Sequence, residues 1–211
     1  SINSAPRTGL AELMTKQGLI GKQIGTGDIA WNVTPVINAT GRMGKPETAI
    51  RLFLEKDQAI RDELATAVVA MNAERKEFGK AGWAVAEPIA RESLPLYGQK
   101  LAVVVSGELH RGIIGILANN LASALNVPSM VLCLMEDGSA VGSLRSARNY
   151  RVLSLLEAYP EFFLDYGGHA FAAGFSLMQE RIQPFLQKIQ QYAGTIEFDK
   201  DTENPPAAID A

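Results

Sequence analysis

Apolar positions recur at spacings of three and four through the first half of the chain, and the pattern changes to short β-branched runs after Lys100. In residues 8–18, Leu10, Leu13 and Met14 form one side of a short amphipathic helix, with Thr8 placed to cap it and Gly18 to end it. A helix this short is marginal alone in water, so it is expected to pack on something, such as a domain outside this sequence. Asp28 is placed to cap a second short helix through Trp31, and residues 35–44 read as a polar break. Pro46–Leu54 reads as a helix with proline in its first turn. Asp57 then caps a long helix whose apolar positions are Ile60, Leu64, Ala67, Val68 and Met71. The charges at Arg61, Asp62, Glu63, Glu74, Arg75, Lys76 and Glu77 supply its solvated face. Gly79, Gly82 and Pro88 are expected to bend or break it near Gly79–Trp83 or at Pro88.

The second half has a different grammar. Residues 101–105 suit a buried strand, Ser106–Gly112 a polar turn, and 113–125 a helix ended by Asn126 and Pro128. Met130–Met135 is the next strand, and Asp137-Gly138 turns the chain into a third over 140–144. The strand–helix–strand order predicts an α/β fold: a mixed sheet flanked by helices, with a parallel pair and an added antiparallel strand, preceded by a long connecting helix. Short and amphipathic helices follow at 152–159 and 180–192. Between them, Gly167-Gly168-His169 with its trailing small residues reads as a tight turn. The expected organisation is a first segment over 1–44, connecting helices over 45–98, an α/β domain over 99–196, and a polar linker or cut end over 197–211.

Composition narrows this picture. A net charge of −3 argues against binding through a broad basic face but leaves a narrow basic groove open. The single cysteine, Cys133, lies in an apolar run and reads as a buried strand residue; one cysteine excludes a disulfide framework. No apolar run is long enough to span a membrane, and the N-terminus lacks a secretory pattern, so a cytoplasmic protein without a membrane partner is expected. The first residue is Ser, which suggests that the sequence begins inside a longer protein.

Four stretches carry candidate chemistry. Arg42, with Asn38 nearby, offers a guanidinium fork to a phosphate, or is a solvated arginine in a capped loop. His110 and Arg111 fall between a strand's end and a helix's start, where open α/β sheets attract anions; the alternative is a surface turn with a capping role. Ser143, Arg145 and Ser146 fit phosphate contacts along a nucleic-acid backbone, or a polar edge strand. Gly167, Gly168 and His169 suit an anion-binding turn, or a tight turn with a structural histidine. No P-loop, dinucleotide fingerprint, nucleophile elbow or zincin motif is present.

The order of these stretches is more specific than any one of them. Asn-Ala-Thr-Gly-Arg42, a long helix, Leu-His-Arg-Gly-Ile-Ile-Gly-Ile-Leu-Ala118, Gly-Ser-Leu-Arg-Ser146 and Gly-Gly-His-Ala-Phe-Ala-Ala-Gly174 together resemble the DHH phosphoesterase family, in particular its RecJ-type single-stranded-DNA-specific exonucleases. The resemblance runs from about Gly9 to about Tyr192. It departs at Leu144, where the family often has a small or polar residue, and at Thr40, where alanine is commoner.

The resemblance implies the end of a DHH domain over 1–44, a connecting helix and a whole DHH-associated domain. It implies Mn or Mg held by a DHH domain that this sequence lacks, and no cofactor in the fragment. Single-stranded DNA is the implied partner, with a single-strand-binding protein or a helicase as further candidates. Asn38, Arg42, His110, Arg111, Ser143, Arg145, Ser146, Gly167, Gly168 and His169 become expected substrate contacts, with His169 positioning the phosphate at or beside the scissile bond. The implied activity is 5′-to-3′ exonuclease action in DNA repair and recombination, with the fragment alone inactive. Two other functions stay open: a DHH-family phosphodiesterase for short oligoribonucleotides or dinucleotides, and a stand-alone nucleic-acid-binding module.

Overall fold

The computed structural model describes Asn3 and residues 7–198. The tail expected from 197 onward therefore lies, from residue 199, outside the described residues. The chain divides into two compact units, Ser1–Phe78 and Gly79–Ala211.

The first unit is helical. It contains α1 (Thr8–Lys16), α2 (Thr26–Asp28), α3 (Thr34–Arg42), α4 (Pro46–Leu54) and the start of α5 (Gln58–Ser93). Leu13, Val36, Leu52, Ala65 and Val68 form one small core; Met14, Leu19, Ile24 and Val33 form another. Residues 35–44, expected as a polar break, are mostly helix. A π-turn over Ile29–Val33 joins α2 to α3, and Pro35 sits in the first turn of α3, directly after it. Val36, Ala39 and Thr40 bury one side of the helix. Gly44, at φ +74°, closes it, with Lys45 N–H donating to Thr40 O at 2.8 Å and Gly44 N–H to Gly41 O at 3.2 Å. Asp28 does not occupy the cap position. It lies three residues inside, and its Oδ2 accepts the Gly25 N–H at 3.1 Å. Thr8 likewise starts α1 without a side-chain cap.

Asp57 caps α5 as expected, its Oδ1 accepting Ala59 N–H at 2.9 Å and Ile60 N–H at 3.1 Å. The expected break does not occur: α5 runs unbroken for 36 residues through Gly79, Gly82 and Pro88. At Gly82 a Cβ would lie 2.7 Å from Ile113 Cδ1 and 3.1 Å from Leu117 Cδ1, so glycine lets another helix approach. Pro88 and Ala84 are both exposed, so the carbonyl that loses its partner faces water.

The second unit is the α/β body. Its elements are β1 (Ala102–Ser106), α6 (Ile114–Leu125), β2 (Ser129–Leu134), β3 (Ser139–Arg145), α7 (Leu153–Glu157), β4 (Phe163–His169), β5 (Ala172–Met178) and α8 (Ile182–Ala193). The sheet order is β1-β2-β3-β5-β4, with β1–β2 parallel and the other pairs antiparallel. The mixed α/β sheet with a long preceding helix is thus the observed fold. Alternation sends Val103, Met130, Leu132, Leu144, Ala173 and Phe175 to one face, where they form the larger core together with Leu155 of α7 and Phe185 of α8. Ala102, Val104, Val131 and Cys133 face the other way and meet α6 together with Ala86 and Ala90 of α5. Leu144, the departure from the family pattern, is fully buried in the larger core. Asn126 ends α6 in the left-handed region at φ +53°.

Gly167-Gly168-His169 is not a turn. It is the last part of β4, paired through Gly167↔Gly174, Gly168↔Ala173 and His169↔Ala172, so that Ala170 and Phe171 make the turn. The alternation of Ala173, Phe175 and Leu177, all buried, drives this stretch into a hairpin that packs on the larger core.

Candidate nucleic-acid interface

Sheet register assembles the site in the second unit. Ser143 lies beside Gly174, which lies beside Gly167; one step along, Arg145 lies beside Ala172, which lies beside His169. Laterally paired residues share a face, and residues two apart in a strand return to it. Ser143, Arg145, Ala172, Gly174, Gly167 and His169 therefore share the face that α6 covers over β1–β3. Beyond α6, Gly167, His169 and Gly174 are exposed.

Arg145 stands at the rim where cover ends. Its Nη1 donates to Ser143 Oγ at 2.8 Å, Leu144 O at 3.0 Å and Ala173 O at 3.3 Å. Its Nη2 passes Gly115 in the first turn of α6, 3.0 Å from where a Cβ would sit. The guanidinium is thus oriented by the fold, and Ser143, itself buried, braces it. β3 is interior to the sheet, which excludes the edge-strand alternative. Ser146 lies just past β3. Its hydroxyl donates to Tyr150 O at 2.8 Å and its N–H to Phe171 O at 3.0 Å, so it ties the β4–β5 turn to the end of β3.

The two glycines of the Gly-Gly-His stretch have different reasons to be glycine. Gly168 has φ +149°, and a Cβ there would lie 2.3 Å from Ala172 O and 2.6 Å from Ala173 Cα. The fold requires it. Gly167 has no positive φ, and a Cβ there would meet nothing within 4 Å. Gly174, its lateral partner, would meet only Gly142 O, at 3.8 Å. Two exposed glycines side by side leave the sheet's backbone open to close approach, and the fold does not need either.

The β1–α6 connection is braced from three points. Ser106 Oγ accepts Glu108 N–H at 3.0 Å, and the buried Cys133 thiol donates to Leu109 O at 2.7 Å. Burial pushes that thiol's pKa up, against a smaller opposite pull from Arg111. His110 Nδ1 accepts Gly112 N–H at 3.1 Å, which assigns the ring proton to Nε2. His110 is half-buried and Arg111 exposed. The first turn of α6 carries no acidic residue and no side-chain cap, so its amide dipoles are not neutralised there.

Asn38 and Arg42 belong to the first unit. They sit one helical turn apart on α3, Asn38 exposed and Arg42 half-buried. Arg75, read from sequence as part of a solvated face, is half-buried instead. Its Nε donates to Asn72 Oδ1 at 3.1 Å, and its pKa is lowered by burial and then by the Arg42 charge. Two guanidinium groups are thus within electrostatic reach of each other. The Asn72–Arg75 spacing of three on a helix was the available signal. Among the described residues, no three His, Cys, Asp or Glu side chains converge as a metal site would require, so no metal ligand is assigned here. No described helix is long and apolar enough to cross a membrane.

This five-stranded mixed sheet, with a helix laid over only part of one face, falls within residues 98–195, which match the model of the DHHA1 domain. Across both units the chain is RecJ-like. It is 29% identical to the single-stranded-DNA-specific exonuclease RecJ of Salmonella typhimurium over 190 residues, 86% of this chain and 33% of that protein. The crystal structure of RecJ from Thermus thermophilus in complex with Mg2+ superposes with a TM-score of 0.78 and 28% identity, over 93% of this chain and 30% of that one. An exonuclease RecJ bound to manganese gives 0.74 and 28%, over 93% and 48%. The chain spans about a quarter to a third of the length of the curated relatives it matches.

Proposed function

We propose that this chain is the strand-holding part of a metal-dependent 5′-to-3′ single-stranded-DNA exonuclease that serves DNA repair and recombination. The observation that carries this is the open face beside Arg145, with its floor of two glycines that the fold does not need. A sugar–phosphate backbone lies close to such a floor. Arg145, already oriented by Ser143 and Ala173, meets a phosphate oxygen without first ordering its side chain. His169, exposed at the end of β4 and lateral to Arg145 across Ala172, contacts the same or the adjacent phosphate. The uncapped start of α6 adds partial positive charge from its amides. Asn38, Arg42 and Arg75 supply a second set of donors on the first unit. The catalytic metal ions, Mn or Mg, belong in this reading to a DHH domain, whose Asp-His-His motif this sequence does not contain. The role of these residues is to hold and orient the strand.

The test is binding of this chain to labelled single-stranded DNA across a salt series, beside duplex DNA and a dinucleotide. Affinity should fall with salt, with a slope of roughly 0.7 per phosphate contacted. Arg145→Ala and His169→Ala should each weaken binding and flatten the slope. A preference for the dinucleotide would instead support the short-oligonucleotide phosphodiesterase. Absence of binding at low salt would overturn the proposal for this chain.

A further inference from the structure

We infer that Phe171 is the aromatic platform on which a base of the bound strand stacks, an inference that rests on the single-strand reading above. The phosphate contacts carry no purchase on the bases, and a single strand offers a π-face at every nucleotide. Most phenylalanines of the second unit are engaged inside it. Phe163, Phe175 and Phe185 pack edge to face with one another, Phe162 lies against Phe185, and the Phe198 ring lies under Arg148. Phe171 is the exception, 53% exposed.

Its place in the fold makes that exposure specific. Phe171 and Ala170 are the whole connection between His169 and Ala172, the last laterally paired residues of β4 and β5. Ala172 is flanked by His169 on one side and Arg145 on the other. Phe171 is therefore next in sequence to the residue that lies between Arg145 and His169, at the tip of the hairpin where both faces of the sheet end. Its backbone is also held: Phe171 O accepts the Ser146 N–H at 3.0 Å, which clamps the turn to the end of β3. A two-residue turn clamped at its tip costs little further entropy when its ring is covered. An apolar ring on a short, clamped turn next in sequence to the Arg145–Ala172–His169 row is what base stacking next to a held phosphate needs.

The experiment compares oligothymidylate with an abasic oligomer of the same length and charge, by fluorescence anisotropy, for the wild-type chain, Phe171→Ala and Phe171→Trp. The wild type should prefer the base-bearing strand. Phe171→Ala should lose about fivefold to a hundredfold in affinity for it and nothing for the abasic oligomer. Phe171→Trp should keep the preference and show emission quenching beyond that of the wild-type tryptophans. If Phe171→Ala keeps the wild-type preference for bases, or loses both ligands equally, the platform is refuted while strand binding stands. Failure of the wild type to bind either oligomer refutes the single-strand reading itself.

Discussion

Adding one methyl group to either glycine of the Gly-Gly-His stretch should give opposite results. In Gly168→Ala the new Cβ falls 2.3 Å from Ala172 O and 2.6 Å from Ala173 Cα, both backbone atoms of the paired strand, which no rotamer change can relieve. The residue must also hold φ +149°, where a side chain is strained by about 1–3 kcal/mol. Pushing the strands apart adds about 1–3 kcal/mol, as in overpacked sites, and the stiffer unfolded chain returns roughly 0.4–1 kcal/mol. The net loss is about 1–5 kcal/mol, or a fall in melting temperature of roughly 2–20 °C for a chain of this size. In Gly167→Ala nothing lies within 4 Å of the new atom and the backbone is extended, so stability should stay level or rise by up to about 1 kcal/mol. Urea and thermal denaturation of both variants, followed by circular dichroism, measure the contrast. Wild-type stability in Gly168→Ala, or an equal loss in both, would refute the register of the β4–β5 hairpin. The same Gly167→Ala protein, folded and stable, should bind single-stranded DNA at least about fivefold more weakly, because only a ligand needs that space.

Two further outcomes follow from the same geometry. Gly115→Ala places a Cβ 3.0 Å from Arg145 Nη2, the movable end of a side chain, so the guanidinium shifts by a few tenths of an ångström. Stability should hold or gain up to about 1 kcal/mol from helix propensity, while affinity for single-stranded DNA drops several-fold; unchanged affinity would mean that Arg145 is not the contact. The pKa values of Tyr97 and Tyr150 are raised above the ordinary 10.0, Tyr97 by burial, Tyr150 by burial and then by its hydrogen bond to Tyr192. The folded state then keeps protons that the unfolded chain releases. Stability is full below pH 10 and falls as pH rises beyond it, and Tyr150→Phe should flatten that fall in urea midpoints taken from pH 8 upward.

Where sequence reading worked, a strong period or a local cap decided the structure. Asp57, Asn126 and the Asp137-Gly138 turn each act within a few residues of themselves, so their roles were legible. It failed where a distant partner decided. Gly82 and Pro88 looked like helix breakers, but α5 passes both, one because other side chains need the room and one because its lost hydrogen bond faces water. Residues 35–44 looked polar because Asn38, Gly41 and Arg42 were read together, while Val36 and Ala39 were already marking a buried side. The candidate residues Arg145, Gly167 and His169 were found by type and order, yet their shared face comes from a register across three strands, which no local pattern displays. The same holds for Ser143, which reads as a phosphate ligand and is buried as a brace for Arg145.

In the proposed reading, a chain with net charge −3 holds a polyanion through the placement of a few groups. The cations are few, and their placement does what number does not. Arg145 lies where α6 stops covering the sheet, with packed protein on one side and solvent on the other, so its charge is less screened than that of a fully solvated arginine. Along β4 the open face runs from Asp165 through Gly167 to His169, and both ends are exposed. Four residues of extended strand separate the carboxylate from the imidazole, about 13 Å, which exceeds the screening length at physiological salt. A phosphate is therefore repelled near Asp165 and attracted near Arg145, where the His169 imidazole can donate a hydrogen bond. The two glycines between them let it approach the backbone at the midpoint. In the proposed reading, this difference between the two ends sets where a strand is gripped without requiring a basic surface.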